Sequence, residues 1–163
     1  MQKITILGIG NIIMQDEGLG VRAVEALQKK YRFSAEVQLL DGGCLGMELH
    51  PFFEGTEKLL VIDAVENQLM PGSCCKYSGN EVKKYFRRKL SVHEVGLSEV
   101  LATLEVTGRE IPEVVIIGMR PEVIDLGLEL SATVARNMPE LLDIALEQLK
   151  EWQVTVLEEG EVA

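Results

Sequence analysis

The stretch Lys3-Ile4-Thr5-Ile6-Leu7-Gly8 is short, rich in β-branched residues and closed by glycine, which is how a strand buried on both faces reads. Three further runs share that character: Val37-Gln38-Leu39-Leu40-Asp41, Leu59-Leu60-Val61-Ile62-Asp63 and Val114-Val115-Ile116-Ile117-Gly118. Helical patterns lie between them. Gly18 to Tyr31 carries Leu19, Val24, Leu27 and Tyr31 at helical spacing, with polar residues between. Glu81 to Lys89 reads as a short basic helix and Leu97 to Val106 as an amphipathic one. Ser131 to Trp152 reads as a long helix that Pro139 should kink or restart, because proline removes a backbone donor. Cys74 to Tyr77, after the turn signal Pro71-Gly72, is a weaker strand candidate. Short apolar strands separated by helices specify an α/β fold, a three-layer α-β-α sandwich around a mostly parallel, twisted sheet of about five strands. One domain over residues 1–152 is expected, followed at 153–163 by an acidic, solvated and flexible tail.

Composition narrows the function classes. At 163 residues, with 47% hydrophobic and 26% charged side chains, the chain suits one domain with a full core. A formal charge of −10 argues against a nucleic-acid binder, which needs a basic face to track phosphates. The acidic excess is uneven: residues 90–163 hold 15 acidic and 4 basic side chains, residues 1–89 hold 11 and 12. The excess is thus mostly solvated surface, apart from the carboxylates discussed below. No apolar run reaches the roughly 18–20 residues of a membrane span, and Met1 to Ile12 lacks the serial layout of a signal peptide. Of three cysteines, Cys74 and Cys75 are neighbours and no regular spacing suggests a disulfide framework. A reduced, cytoplasmic setting and a monomeric chain are the expectation.

Ligands in open α/β sheets bind beyond the carboxyl ends of the strands, so the residues following each strand decide the chemistry. Asp16 and Glu17 follow the first strand, Asp41 ends the second and Asp63 the third. A single such aspartate usually caps a helix or forms a turn; three strand ends with carboxylates suggest more. Gly8-Ile9-Gly10 imitates a dinucleotide fingerprint, but Ile13 stands at the third glycine. Asp16 and Glu17 would also repel a pyrophosphate at the next helix N-terminus. The charge run Lys83-Lys84-Tyr85-Phe86-Arg87-Arg88-Lys89 reads first as a solvated helix face. His50, beside Pro51, reads as structural, and His93-Glu94 lacks the second histidine of a zinc-protease helix. Cys44 with His93 as base would make a thiol nucleophile, but packing is the better account of an unactivated cysteine. Glu17, Asp63 and His93 together offer two carboxylates and an imidazole, an open site for a borderline ion such as nickel or zinc.

Several blocks carry a resemblance. Gly8-Ile9-Gly10-Asn11-Ile12-Ile13-Met14-Gln15-Asp16-Glu17-Gly18-Leu19-Gly20-Val21-Arg22 resembles the N-terminal motif of the hydrogenase maturation endopeptidases. Leu40-Asp41-Gly42-Gly43-x-x-Gly46-x-Glu48-Leu49 is similar to their second block and Ile62-Asp63-Ala64 to their third. Ser91-x-His93-Glu94-x-Gly96-Leu97-x-Glu99-Val100-Leu101 resembles their histidine loop and Ile117-Gly118-x-x-Pro121-Glu122 a later strand end. The resemblance implies an endopeptidase that removes the C-terminal extension of a nickel–iron hydrogenase large-subunit precursor after nickel insertion. Glu17, Asp63 and His93 match the family's metal-contacting positions, with nickel recognised in the substrate rather than permanently bound. Asp41 or Asp16 would then serve proton transfer as the catalytic carboxylate. Two other readings stand beside it: a nickel-dependent binding module or chaperone for the large subunit, and an unrelated metallopeptidase on the same fold.

Overall fold

A computed structural model describes residues 2–88 and 92–160, with the side chains of residues 88 and 92–95 outside the description. Strands β1 (Lys3–Ile9), β3 (Val37–Gly43), β4 (Thr56–Ala64), β5 (Cys74–Ser78) and β6 (Glu113–Met119) form one sheet in the order β3-β1-β4-β6-β5. All neighbours are parallel except β5, which runs antiparallel to β6 at one edge. Helices α1 (Leu19–Lys30) and α4 (Ala132–Glu151) cover one face, α2 (Asn80–Arg88) and α3 (Val92–Val106) the other. The expected three-layer sandwich is therefore the fold.

Alternation along the strands sorts the core into two halves. Ile4, Ile6, Leu60, Ile62, Val115 and Ile117 meet α1 and α4, while Leu7, Ile9, Leu59, Val61 and Ile116 meet α2 and α3. Because both faces are covered, the strands read as nearly unbroken apolar runs. The chain leaves β1 for β3 on one side, then crosses to β4 on the other. The carboxyl ends of β1 and β4 thus flank the topological switch point, where this class of sheet opens a crevice.

Backbone closeness holds that crevice in shape. A Cβ on Gly20, in the first turn of α1, would lie 2.1 Å from the Ile62 carbonyl oxygen and 2.6 Å from that of Ile9. The helix start consequently rests on the bare backbone of both central strands.

Three expectations are corrected. Helix α4 runs unbroken through Pro139; Pro139 and Ala135 are both exposed, so water can take the carbonyl that proline leaves unbonded. Of the tail expected at 153–163, residues 156–159 are tied down: β7 (Val156–Glu158) pairs antiparallel with β2 (Tyr31–Phe33), and the Glu159 amide donates to the Lys30 carbonyl at 2.7 Å; residues 161–163 lie outside the described residues. Trp152 and Val154, on the approach to β7, are buried against the α1/α4 core, and that burial draws the segment in. Tyr31, expected at the end of a helix, instead begins β2.

Gly20→Ala is expected to destabilise the fold by about 3 kcal/mol or more, read as a lower midpoint in urea unfolding. A second expectation concerns pH. Burial, the Glu140 carboxylate and neighbouring Cys75 push the Cys74 thiol up to about 12. The folded value lies above the unfolded one, so stability should fall as pH rises from about 8.5 toward 12. Cys74→Ala should flatten that alkaline decline in unfolding curves recorded across pH.

Candidate active site

The loop between β1 and α1 folds back over the end of β1. Gly10 adopts φ +128°, and a Cβ there would lie 1.9 Å from the Glu17 carbonyl oxygen, so only glycine lets the loop close this tightly. A 3-10 turn at Gln15–Gly18 follows and carries both acidic residues. They have different fates. Asp16 is completely buried, whereas Glu17 is half-exposed.

Both oxygens of Asp16 are engaged. The amides of Glu122 and Val123 donate to Oδ2 at 2.9 Å each, the Ser131 hydroxyl donates to Oδ2 at 2.7 Å, and the Ser131 amide donates to Oδ1 at 2.7 Å. Three of these donors converge on Oδ2 and one reaches Oδ1, so the carboxylate is held from both oxygens. Ser131 is also the N-cap of α4, its hydroxyl accepting from the Val134 amide. Asp16 therefore sits at the positive end of a long helix.

Asp63 ends β4 and is likewise completely buried. Its strand parity turns it to the α2/α3 face, where the Tyr85 hydroxyl donates to Oδ2 at 3.1 Å; the Ala64 amide donates to Oδ1 at 2.8 Å. Tyr85 comes from α2 and is braced between the rings of Tyr77 and Phe86, with centroids 5.4 and 5.3 Å away. It was not among the residues singled out from the sequence. Its signal was the spacing of Val82 and Tyr85, both buried, within a helix whose Lys83, Lys84 and Arg87 are exposed. Those three cations form the solvated face that the sequence suggested.

Cys44, just past the end of β3, is exposed, so the packing role expected for it is not its role in the fold. Partial burial, then the negative charges of Glu17 and Asp63, push its thiol up from the ordinary value. Asp41 is exposed at that strand end, in register with Gly8 of β1. Glu17, Asp41, Cys44 and Asp63 thus share the carboxyl side of the sheet. The side chain of His93 lies outside the described residues; Gly96, three positions on, would bring a Cβ within 2.8 Å of the Gly46 Cα. Among the described residues no three His, Cys, Asp or Glu side chains gather as a metal-binding group, and no helix is long and apolar enough to cross a membrane.

The rim of the crevice is apolar. Ile13, Leu45, Met47, Leu69, Met70, Val123, Ile124, Leu126 and Leu128 are exposed, all on segments that follow the carboxyl ends of β1, β3, β4 and β6. Arg120 holds one of these loops by donating to the Leu69 carbonyl. Arg22 holds another through the Leu128 carbonyl at 3.1 Å. An acidic, partly buried floor inside an ordered apolar rim suits a protein client better than a small polar molecule.

A mostly parallel sheet with strand-end carboxylates at its switch point is the arrangement of an α/β protein with a carboxylate-lined cleft. Comparison with known proteins makes the assignment particular. A sequence model described as hydrogenase maturation protease matches residues 21–148. The chain is 38% identical over 156 residues to the hydrogenase expression/formation protein HupD of Rhizobium leguminosarum bv. viciae, covering 94% of this chain and 77% of that protein. It is 36% identical over 150 residues to the hydrogenase 2 maturation protease of Escherichia coli strain K12, covering 91% and 92%. The solved structure of the hydrogenase maturating endopeptidase HybD from E. coli superposes with a TM-score of 0.93 at 34% identity, over 99% of this chain and 100% of that one. The chain belongs to the hydrogenase maturation protease family and is a protease, as the sequence blocks implied.

A thiol mechanism finds no support, since partial burial and the charges of Glu17 and Asp63 raise the Cys44 thiol, and a raised thiol is a weak nucleophile near neutrality. Cys44→Ser should keep proteolytic activity within about twofold of the parent. Alkylation of Cys44 by iodoacetamide, followed by mass spectrometry, should accelerate only at alkaline pH.

Proposed function

We propose that this protease removes the C-terminal extension of a nickel–iron hydrogenase large-subunit precursor once nickel has been inserted. In this reading Glu17, Asp63 and His93 contact the nickel that the substrate holds. The observation that carries it is that Glu17 follows β1 and Asp63 ends the adjacent strand β4, the two strands whose carboxyl ends flank the switch point. The names of the relatives supply the hydrogenase context, and the apolar rim supplies a surface for a folded client.

The metal is part of the substrate, so its thiolate ligands belong to the precursor. Two carboxylates and an imidazole are suitable donors to complete the coordination of such an ion. Tyr85 fixes the rotamer of Asp63 through its hydroxyl, the outer-shell orientation that metal-contacting carboxylates need. Contact with the ion then holds the scissile bond at a fixed place, and positioning of this kind can supply several kcal/mol of a barrier reduction. Asp41, exposed beside the crevice, is the carboxylate we assign to proton transfer. The reading includes a monomer acting in a reduced, cytoplasmic compartment; Cys44, Cys74 and Cys75 are free thiols in the fold.

The test is one incubation of purified protein with nickel-loaded and nickel-free precursor, read by mass spectrometry of the precursor's C-terminus. Release is expected from the loaded form alone. Glu17→Gln and Asp63→Asn should each lower that release by at least about a hundredfold while circular dichroism stays unchanged. Equal release from both precursors would remove the metal-sensing step, and binding without release would favour a chaperone.

A further inference from the structure

The hydrogen bonding of Asp16 gives it a different task from its neighbour. Residues 121–131 follow β6 and carry Val123, Ile124, Leu126 and Leu128, the largest continuous part of the apolar rim. This segment lies more than a hundred positions from the 3-10 turn in sequence, yet the two are stitched together. The Asp16 amide donates to the Val123 carbonyl at 3.1 Å and the Gln15 amide to the Gly127 carbonyl at 3.0 Å; the Gly127 amide returns to the Ile13 carbonyl at 2.9 Å. The Asp16 carboxylate closes the set by taking the amides of Glu122, Val123 and Ser131 and the Ser131 hydroxyl.

A buried carboxylate with four donors is strongly held, and a donor whose acceptor is removed in a buried site is costly. Only an anion with two acceptor oxygens satisfies all of them. An amide at this position would present its own N–H group to at least one of the donors. The next residue in the chain is Glu17, partly exposed on the same 3-10 turn. Whatever fixes Asp16 therefore fixes the backbone from which Glu17 reaches.

We propose that Asp16 is a positioning residue, an anionic latch that locks the apolar 121–131 segment and the α4 N-terminus to the turn presenting Glu17, so that client docking and metal contact form one rigid unit. This replaces the proton-transfer role that the sequence suggested for Asp16, since four donors from the 121–131 segment hold its carboxylate, against two on Asp63 among the described residues. The coupling to client cleavage rests on the function proposed above; the latch itself does not.

Two variants and two readouts decide it. In backbone hydrogen exchange, Asp16→Asn should lose protection together at residues 13–17 and 122–131, while sheet amides such as those of Leu60 and Ile116 keep theirs. In cleavage of nickel-loaded precursor, it should lower kcat/KM by about tenfold to a hundredfold, leaving both limbs of the pH–rate profile in place. Ser131→Ala, which removes one of the four bonds together with the N-cap bond from Val134, should shift the amides of residues 13–17 by less than Asp16→Asn, and the double variant should show less than the product of the two effects. Should Asp16→Asn not fold, the exchange pattern and kinetics of Ser131→Ala decide alone. Loss of one limb of the pH profile would make Asp16 a proton carrier and overturn the latch. Parent-like exchange at residues 122–131 would overturn it equally. Failure of the parent protein to cleave the precursor would instead sink the proposed function, and the exchange arm would still decide the latch.

Discussion

The start of α1 touches the backbone of β1 and β4 with no side chain between. Gly8 and Gly20 face each other so closely that a Cβ on Gly8 would lie 2.4 Å from the Gly20 carbonyl oxygen, and one on Gly20 would lie 2.1 Å from that of Ile62. Every feature of the cleft depends on this contact. It sets the helix at the carboxyl ends of the two central strands, and the loop joining β1 to α1 must then double back across the switch point. With that loop comes the 3-10 turn, and with the turn come Asp16 and Glu17. A methyl group between helix and sheet would push the turn away from Asp63.

Burial on both faces makes the central strands legible in the sequence. Leu59 to Ile62 and Val115 to Ile117 carry no polar interruption because helices cover both sides, and a run of that kind has few other interpretations. Strands β2 and β7 were not legible, for the opposite reason. Each has three residues, partly exposed, and each exists only because the other is brought beside it from more than a hundred positions away. Pro139 misled because the usual cost of proline in a helix assumes that the released carbonyl is unsatisfied, and on the exposed side of α4 water relieves that cost.

The site was legible in part. Carboxylates after successive strands marked Glu17, Asp41 and Asp63, and the structure places all of them on the carboxyl side of the sheet. What no local pattern could tell is how two adjacent carboxylates divide their work. Asp16 and Glu17 have the same charge and neighbourhood in sequence; their separation comes from Glu122, Val123 and Ser131, donors that only the completed fold delivers. Tyr85 was hidden for a related reason. It lies among cations that dominate the composition of its helix, while the hydroxyl that matters points inward to Asp63.

The β2–β7 ribbon has a consequence for how such an enzyme coexists with its own polypeptide. Residues 156–159 are paired with the segment just after α1, at the pole of the sheet away from the carboxyl ends of the strands. A loose segment on the same molecule would present itself to the cleft at an effective concentration far above that of any free client. Anchoring at the opposite pole keeps residues 156–159 out of the cleft.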